Sequence, residues 1–224
     1  MTKNNFEQNA LISLVEDDPD LASVIYEFLS NHGFHVSVHT TGENFIESIE
    51  HDGVFDAGQN EKLQKGIILL DIRLPGISGI DVFEKLLGSY SKIHWPVCFI
   101  TGHGDVNIAV NTIKMGAIDF LLKPFSTEQL LSIINNGLTA SDQLIGQINF
   151  QQNYKICFDK LTDKEKEVML LIANGNTNKS ISQILNNSIR TIELHRSRVF
   201  EKMNVESAIE LARIYEKYNN ISQI

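Results

Sequence analysis

The chain has 224 residues, 42% of them hydrophobic and 21% charged, a formal net charge of −9 and two cysteines. That length and composition suit two ordinary globular domains; no apolar run approaches the ~20 residues of a membrane span, and Cys98 and Cys157 stand at no metal-ligand spacing. The charge is uneven: residues 1–158 hold 9 basic and 19 acidic side chains, residues 159–224 hold 10 and 9, so the two parts are expected to meet different partners.

In chain order, the opening MTKNNFEQNALISLVEDD has no basic-then-apolar signal region, and a reducing cytoplasm is the expected compartment. Short apolar runs then predict buried strands at 11–15, 34–38, 67–70, 97–100 and 118–122. Helical spacing lies between them. Leu21, Val24, Ile25, Phe28 and Leu29 share one predicted face, with Gly33 as a stop. Val82, Phe83, Leu86 and Leu87 precede Gly88, and Ile108, Val110 and Ile113 precede Gly116. Leu130, Leu131, Ile133 and Ile134 precede Gly137. Strands alternating with helices imply a parallel sheet covered on both faces. Residues 51–66 read as a long polar connection, with the end of a helix at its start. Cys98, in an apolar run, reads as a small core residue. Residues 137–157 turn Gln/Asn-rich and read as a linker, with a helical extension open through Leu144, Ile145 and Ile148. Beyond Leu161 no strand pattern recurs, and four short helices fit.

In a doubly wound sheet the strand C-termini open onto one edge, where ligands bind. The residues at those ends are Glu16, Asp17 and Asp18, then Asp71, then Thr101, then Lys123 before Pro124. Any one of them alone is a turn or cap residue, and Asp18 before Pro19 reads as a helix start. Jointly they form a chemical set. Clustered carboxylates need a cation, hard oxygen donors suit Mg²⁺, and an Asp beside that ion is an oxygen nucleophile toward phosphorus. Lys123 and Thr101 would supply charge and a donor to phosphoryl oxygens.

The stretches LVEDD (14–18), LLDIRLPGISGID (69–81) and ITGHGDVNIAVNTIKMGAIDFLLKPF (100–125) resemble the receiver domain of two-component response regulators, most nearly the FixJ branch of the NarL/FixJ group. The resemblance implies a flavodoxin-like α/β fold, strand order 2-1-3-4-5, over residues 9–136. It implies that Asp71 accepts phosphate from a sensor histidine kinase. Glu16, Asp17, Asp71 and the backbone carbonyl of Arg73 would hold Mg²⁺. Thr101 and Phe120 would act as switch residues, Lys123 would meet the phosphoryl group, and the Lys123–Pro124 bond would be cis. Glu16 replaces the family's commoner Asp. Arg73 and His103, each two residues beyond a site residue, would flank the line of attack.

In residues 161–205, Thr162 and Glu165 form a capping box, and Val168, Met169, Leu171 and Ile172 supply an apolar face. A short helix at 178–185 precedes a longer one at 189–203. The longer helix carries Ile189, Ile192, Val199, Phe200 and Met203 on one side and a basic, polar face on the other. LTDKEKEVM, the GNTNKSI turn and TIELHRSRV resemble the LuxR-type helix-turn-helix, implying an all-α four-helix DNA-binding domain over 158–222. Lys179, Thr191, Arg198 and Lys202 are candidates for phosphate contacts, and Glu193, Leu194 and Ser197 for base edges. Asn187 stands where the family has a branched apolar residue and Ile189 where Pro is common, so a half-buried Asn187 needs a partner. The two modules predict a transcription regulator that dimerises on phosphorylation, binds promoter DNA and meets RNA polymerase. The alternatives are a Mg²⁺-dependent phosphatase using Asp71, or a protein-binding adaptor.

Overall fold

The structure, a computed structural model, describes residues 10–52, 63–88, 95–102 and 106–222. His103 and residues 53–62 of the polar connection lie outside the described residues. The chain divides into two compact units between residues 145 and 146.

The first unit alternates β1 (Leu11–Val15), α1 (Pro19–Asn31), β2 (His35–His39), α2 (Gly42–Asp52), β3 (Gly66–Asp71), α3 (Gly79–Gly88), β4 (Val97–Thr101), α4 (Val106–Lys114) and β5 (Asp119–Leu122). The strands are all parallel in the order β2-β1-β3-β4-β5. Strand side chains alternate between faces. Ile12, Leu14, Ile67, Leu69, Cys98 and Ile100 therefore enter one core, which α1 covers together with Leu130, Ile133 and Ile134 of α5 (Thr127–Asp159). Val15, Ile68, Leu70, Val97 and Phe99 enter the other, under α2 and α3.

Helix faces are less legible than strands. Val24, placed on the core face of α1, is 65% exposed. The buried stripe is Ala22, Ile25 and Leu29; at 100° per residue Val24 lies about 130° from its centre. Leu87 and Val110 are likewise exposed rather than core. In α2 the reverse holds: Phe45 and Ile49, which the pattern did not single out, are buried.

The 137–157 segment lies wholly inside the 33-residue α5. In the second unit its last turns give Tyr154, Cys157 and Phe158 to a core shared with α6 (Asp163–Ala173), α7 (Asn178–Ile184), α8 (Ile189–Met203) and α9 (Ala208–Ser222). On α8, Ile192, Val199 and Met203 are buried and Phe200 packs beside them, but Ile189 is 47% exposed. Helical side chains lean toward the N-terminus, so the first residue leans off the helix end.

Candidate functional site

The register assembles the first site. Val15 pairs with Leu70 and Leu70 with Phe99, while Thr101 pairs with Leu122. Glu16 and Asp71 come next beyond that row, Thr101 ends β4 one row further out and Lys123 follows β5, so the four stand at one edge of the sheet. Glu16 and Thr101 are fully buried and Asp71 is 5% exposed. The Lys123 ammonium joins the two acids, donating to Glu16 Oε2 at 2.8 Å, Glu16 Oε1 at 3.0 Å and also to Asp71 Oδ2. Asp71 Oδ1 accepts from the Arg73 backbone N–H at 2.8 Å, so both of its oxygens are held. The Thr101 hydroxyl donates to the Gly102 carbonyl over a long 3.4 Å, and the Lys123 N–H bonds the Thr101 carbonyl at 2.7 Å, just before the cis Lys123–Pro124 bond.

Burial pushes the Glu16 carboxyl up to about 7; the Lys123 hydrogen bonds pull it down and the Asp71 charge adds to the rise. Burial depresses the Lys123 ammonium, but hydrogen bonds to Asp71 and Glu16 outweigh it and leave the group above its ordinary value. Lys123 therefore keeps its proton, and Glu16 is the acid in the cluster that gains one as pH falls.

Asp17 is exposed, and oxygens of Glu16, Asp17 and Asp71 lie within 4.8 Å of one another. Two buried acids that share one ammonium, with a third acid open to solvent beside them, gather carboxylate oxygens at one point. Such oxygen donors fit a hard divalent cation that keeps part of its water. Asp18 is not part of this set: its side chain accepts from the Asp20 and Leu21 N–H groups and caps α1.

The sequence reading missed the clamp on the loop after Asp71. Glu43 of α2 accepts from the Ile77 N–H at 3.0 Å. Gly76 lies beneath it at φ +77°, where a Cβ would stand 2.3 Å from the Glu43 carboxylate. Gly79 allows a still closer approach, since a Cβ there would lie 2.0 Å from the Asp71 carbonyl oxygen. An acid at the start of a helix is ordinary, so no local sequence signal marks Glu43.

The second site is on α7 and α8. Thr177 caps α7 by accepting from Ser180 N–H, and Ser188 caps α8 by accepting from Thr191 N–H. Between them Asn186 takes φ +51°. Half-buried Asn187 finds its partner locally, donating through Nδ2 to the Leu185 carbonyl at 3.0 Å. Arg196 crosses from α8 to α7, donating to Asn178 Oδ1 at 3.2 Å, and lies 5.0 Å from the Phe200 ring centroid. Lys179, Glu193, Leu194, Ser197 and Arg198 are exposed, and Thr191 is half-buried.

Lys202, the remaining candidate for a phosphate contact, has a partner within the domain. Its ammonium donates to Glu165 Oε2 at 2.6 Å, and that carboxylate also closes the capping box with Thr162 N–H at 2.9 Å. Burial raises the Glu165 carboxyl, but the bonds from Lys202 and Thr162 outweigh it and hold it at about 2. Lys202 thus ties α8 to the start of α6.

Fold and sites define a receiver-type α/β domain, with an acid-and-lysine pocket at its sheet edge, joined to a helix-turn-helix domain. Residues 12–135 match the response regulator receiver domain family, and residues 159–215 match the bacterial regulatory proteins of the luxR family. The tetrathionate response regulatory protein TtrR of Salmonella typhimurium is 36% identical over 208 residues, 93% of each chain. The transcriptional regulatory protein FixJ of Azorhizobium caulinodans is 32% identical, covering 91% of this chain and 90% of its own. The structure of response regulator StyR superposes with a TM-score of 0.75 at 32% identity, covering 94% of this chain and all of that one. The chain belongs to the two-component response regulators with a LuxR-type helix-turn-helix, and it is a phosphorylation-dependent regulator of transcription.

Proposed function

We propose that Asp71 is the phosphoryl acceptor, and that its phosphorylation by a sensor histidine kinase drives dimerisation and promoter binding. The observation that carries this is the single ammonium of Lys123 spanning two buried acids at the sheet edge, with all four of their carboxylate oxygens held. An Asp fixed in this way presents a carboxylate oxygen to phosphorus with little freedom to lose. As the new bond forms and the donor's P–N bond breaks, Lys123 passes from the carboxylate to the phosphoryl oxygens. Thr101, at the end of β4 beside Asp71, would turn its hydroxyl to the same oxygens.

Mg²⁺ held by Glu16, Asp17, Asp71 and the Arg73 carbonyl would neutralise charge on the transferring group. Thr101 turning inward frees space for Phe120, half-buried against the second core. The face so altered lies by α4, where Val110, Ile113 and Met115 are 37–45% exposed; pairing two chains there would bring two copies of α8 to one operator. Lys179, Thr191 and Arg198 would contact phosphates, and Glu193, Leu194 and Ser197 base edges. RNA polymerase is the downstream partner in this reading and the cytoplasm its compartment; no helix among the described residues is long and apolar enough to cross a membrane.

The test compares DNA binding by chain treated with a small-molecule phosphodonor and by the Asp71→Asn variant treated alike, at two salt concentrations. Tighter, steeply salt-dependent binding by the phosphorylated wild type alone is expected. Equal binding by both would sink the proposal.

A further inference from the structure

Helix α8 carries a row of side chains that the protein itself leaves unused. Arg190, Glu193, Leu194, Ser197 and Arg198 are exposed and recur at spacings of three and four, so they share one face. Their neighbours are engaged inward, Arg196 on Asn178 and Phe200 and Lys202 on Glu165. Two members of the row are out of place on a surface that only has to attract a polyanion. Leu194 is an apolar side chain 52% exposed in the middle of it. Glu193 is a carboxylate that none of the described residues engages by hydrogen bond or ion pair. Each costs something there: the acid repels phosphates, and the leucine wets apolar surface.

We infer that Glu193 and Leu194 are the specificity-determining pair, reading a cytosine and a thymine on neighbouring base pairs of each half-site. This rests on the DNA-binding reading above and deepens it. In the major groove a carboxylate can only accept. Guanine offers O6 and N7, both acceptors, and thymine offers O4, another acceptor. Adenine sets its N6 donor beside the N7 lone pair, which repels a second carboxylate oxygen. Cytosine presents N4–H₂ as a donor and no acceptor at its side, so Glu193 selects it. Leu194 brings methyl groups and no polar atom, which matches the thymine C5-methyl. On a helix of 3.6 residues per turn the two side chains leave α8 about 100° apart, so they reach two different base pairs and not one. Arg190 and Arg198, one turn to either side of Leu194, hold the duplex against this row.

The test uses the full chain, phosphorylated with a small-molecule phosphodonor, to select from a randomised duplex library. Wild type, Glu193→Gln and Leu194→Ala are run in parallel; both side chains are exposed, so the fold is kept. Wild type is expected to select a fixed C beside a T, with C→G there weakening binding about 5- to 150-fold. Glu193→Gln is expected to move that position to A, because the amide pairs with adenine N6 and N7. Replacing the T by uracil removes only the methyl, and should weaken wild type but leave Leu194→Ala unchanged. An enriched motif identical in wild type and Glu193→Gln, or indifference of wild type to uracil, overturns the inference while leaving DNA binding intact. Failure of phosphorylated wild type to enrich any sequence overturns the DNA-binding reading with it.

Discussion

Removing Lys123 isolates the energetics of the acid pocket. In Lys123→Ala, fully buried Glu16 and 5% exposed Asp71 lose the cation that hydrogen-bonds both. Breaking a buried pair by deleting one partner costs about 3–5 kcal/mol. Lys123 is itself 25% exposed, so water replaces part of the loss; about 2 kcal/mol is the expected destabilisation near pH 8. For a domain of this size that lowers Tm by about 7 °C. The sign with pH follows from the groups. Lys123 sits above its ordinary 10.5, so in the wild type its contribution is complete throughout the neutral range. Glu16 titrates at about 7 in the wild type and higher once Lys123 no longer lowers it, so at pH 5.5 it carries its proton in both proteins and does not need the ammonium. The loss at pH 5.5 should therefore be about 1 kcal/mol smaller than at pH 8. Magnesium chloride should recover more stability in the variant than in wild type, because the variant's carboxylates have lost the ammonium that bonds both. Trp95, the chain's single tryptophan, is 4% exposed within the receiver core, so its fluorescence during urea or thermal unfolding reports this domain. A variant as stable as wild type at pH 8, or equally rescued by magnesium chloride, would refute this account of the site.

Other outcomes follow from the same geometry. Asp71→Asn should abolish incorporation of phosphate from a small-molecule phosphodonor, read by phosphate-affinity gel, while Trp95 fluorescence shows an intact core. Glu43→Ala should slow phosphorylation several-fold by loosening the loop beyond Asp71, and Glu43→Gln should restore it, since an amide oxygen still accepts from Ile77 N–H. Equal rates in all three would show that the clamp is idle. Glu165 is held at about 2, so its contribution is present above its ordinary 4.5 and lost as pH falls from there toward 2. Helical circular dichroism of wild type should reveal a lower melting temperature at pH 3 than at pH 6, and Glu165→Gln should flatten that difference while costing about 1–2 kcal/mol at pH 6. Lys202→Ala should lower stability with little effect on the salt slope of DNA binding, whereas Arg198→Ala should reduce that slope by about one.

How much was legible in the sequence depended on whether a local pattern carried the information. Strands buried on both faces announce themselves as apolar runs, because every residue of GIILLD must be compatible with an interior. The capping box at Thr162 and Glu165 is local chemistry and was readable as such. Helix faces were read less well: the α1 stripe is set by Ala22, a residue too small to stand out, and Val24 fell outside it. Phe45 and Ile49 went unnoticed because, Ile46 apart, the residues around them in α2 are polar or glycine.

The sequence by itself determined which groups stand at the strand ends, since parallel connectivity forces Glu16, Asp71, Thr101 and Lys123 to one edge, and it determined that two modules share the chain. Only the tertiary structure decided how those groups are engaged. It joins Lys123 to both acids, 107 and 52 residues away. It recruits Glu43 to the loop beyond Asp71, and joins Lys202 to Glu165. Each of these is a contact between side chains distant in sequence, where charge and burial are settled by which neighbours arrive. The fate of a charge depends on distances that no local pattern encodes, and so two lysines that look alike in the sequence end in different roles.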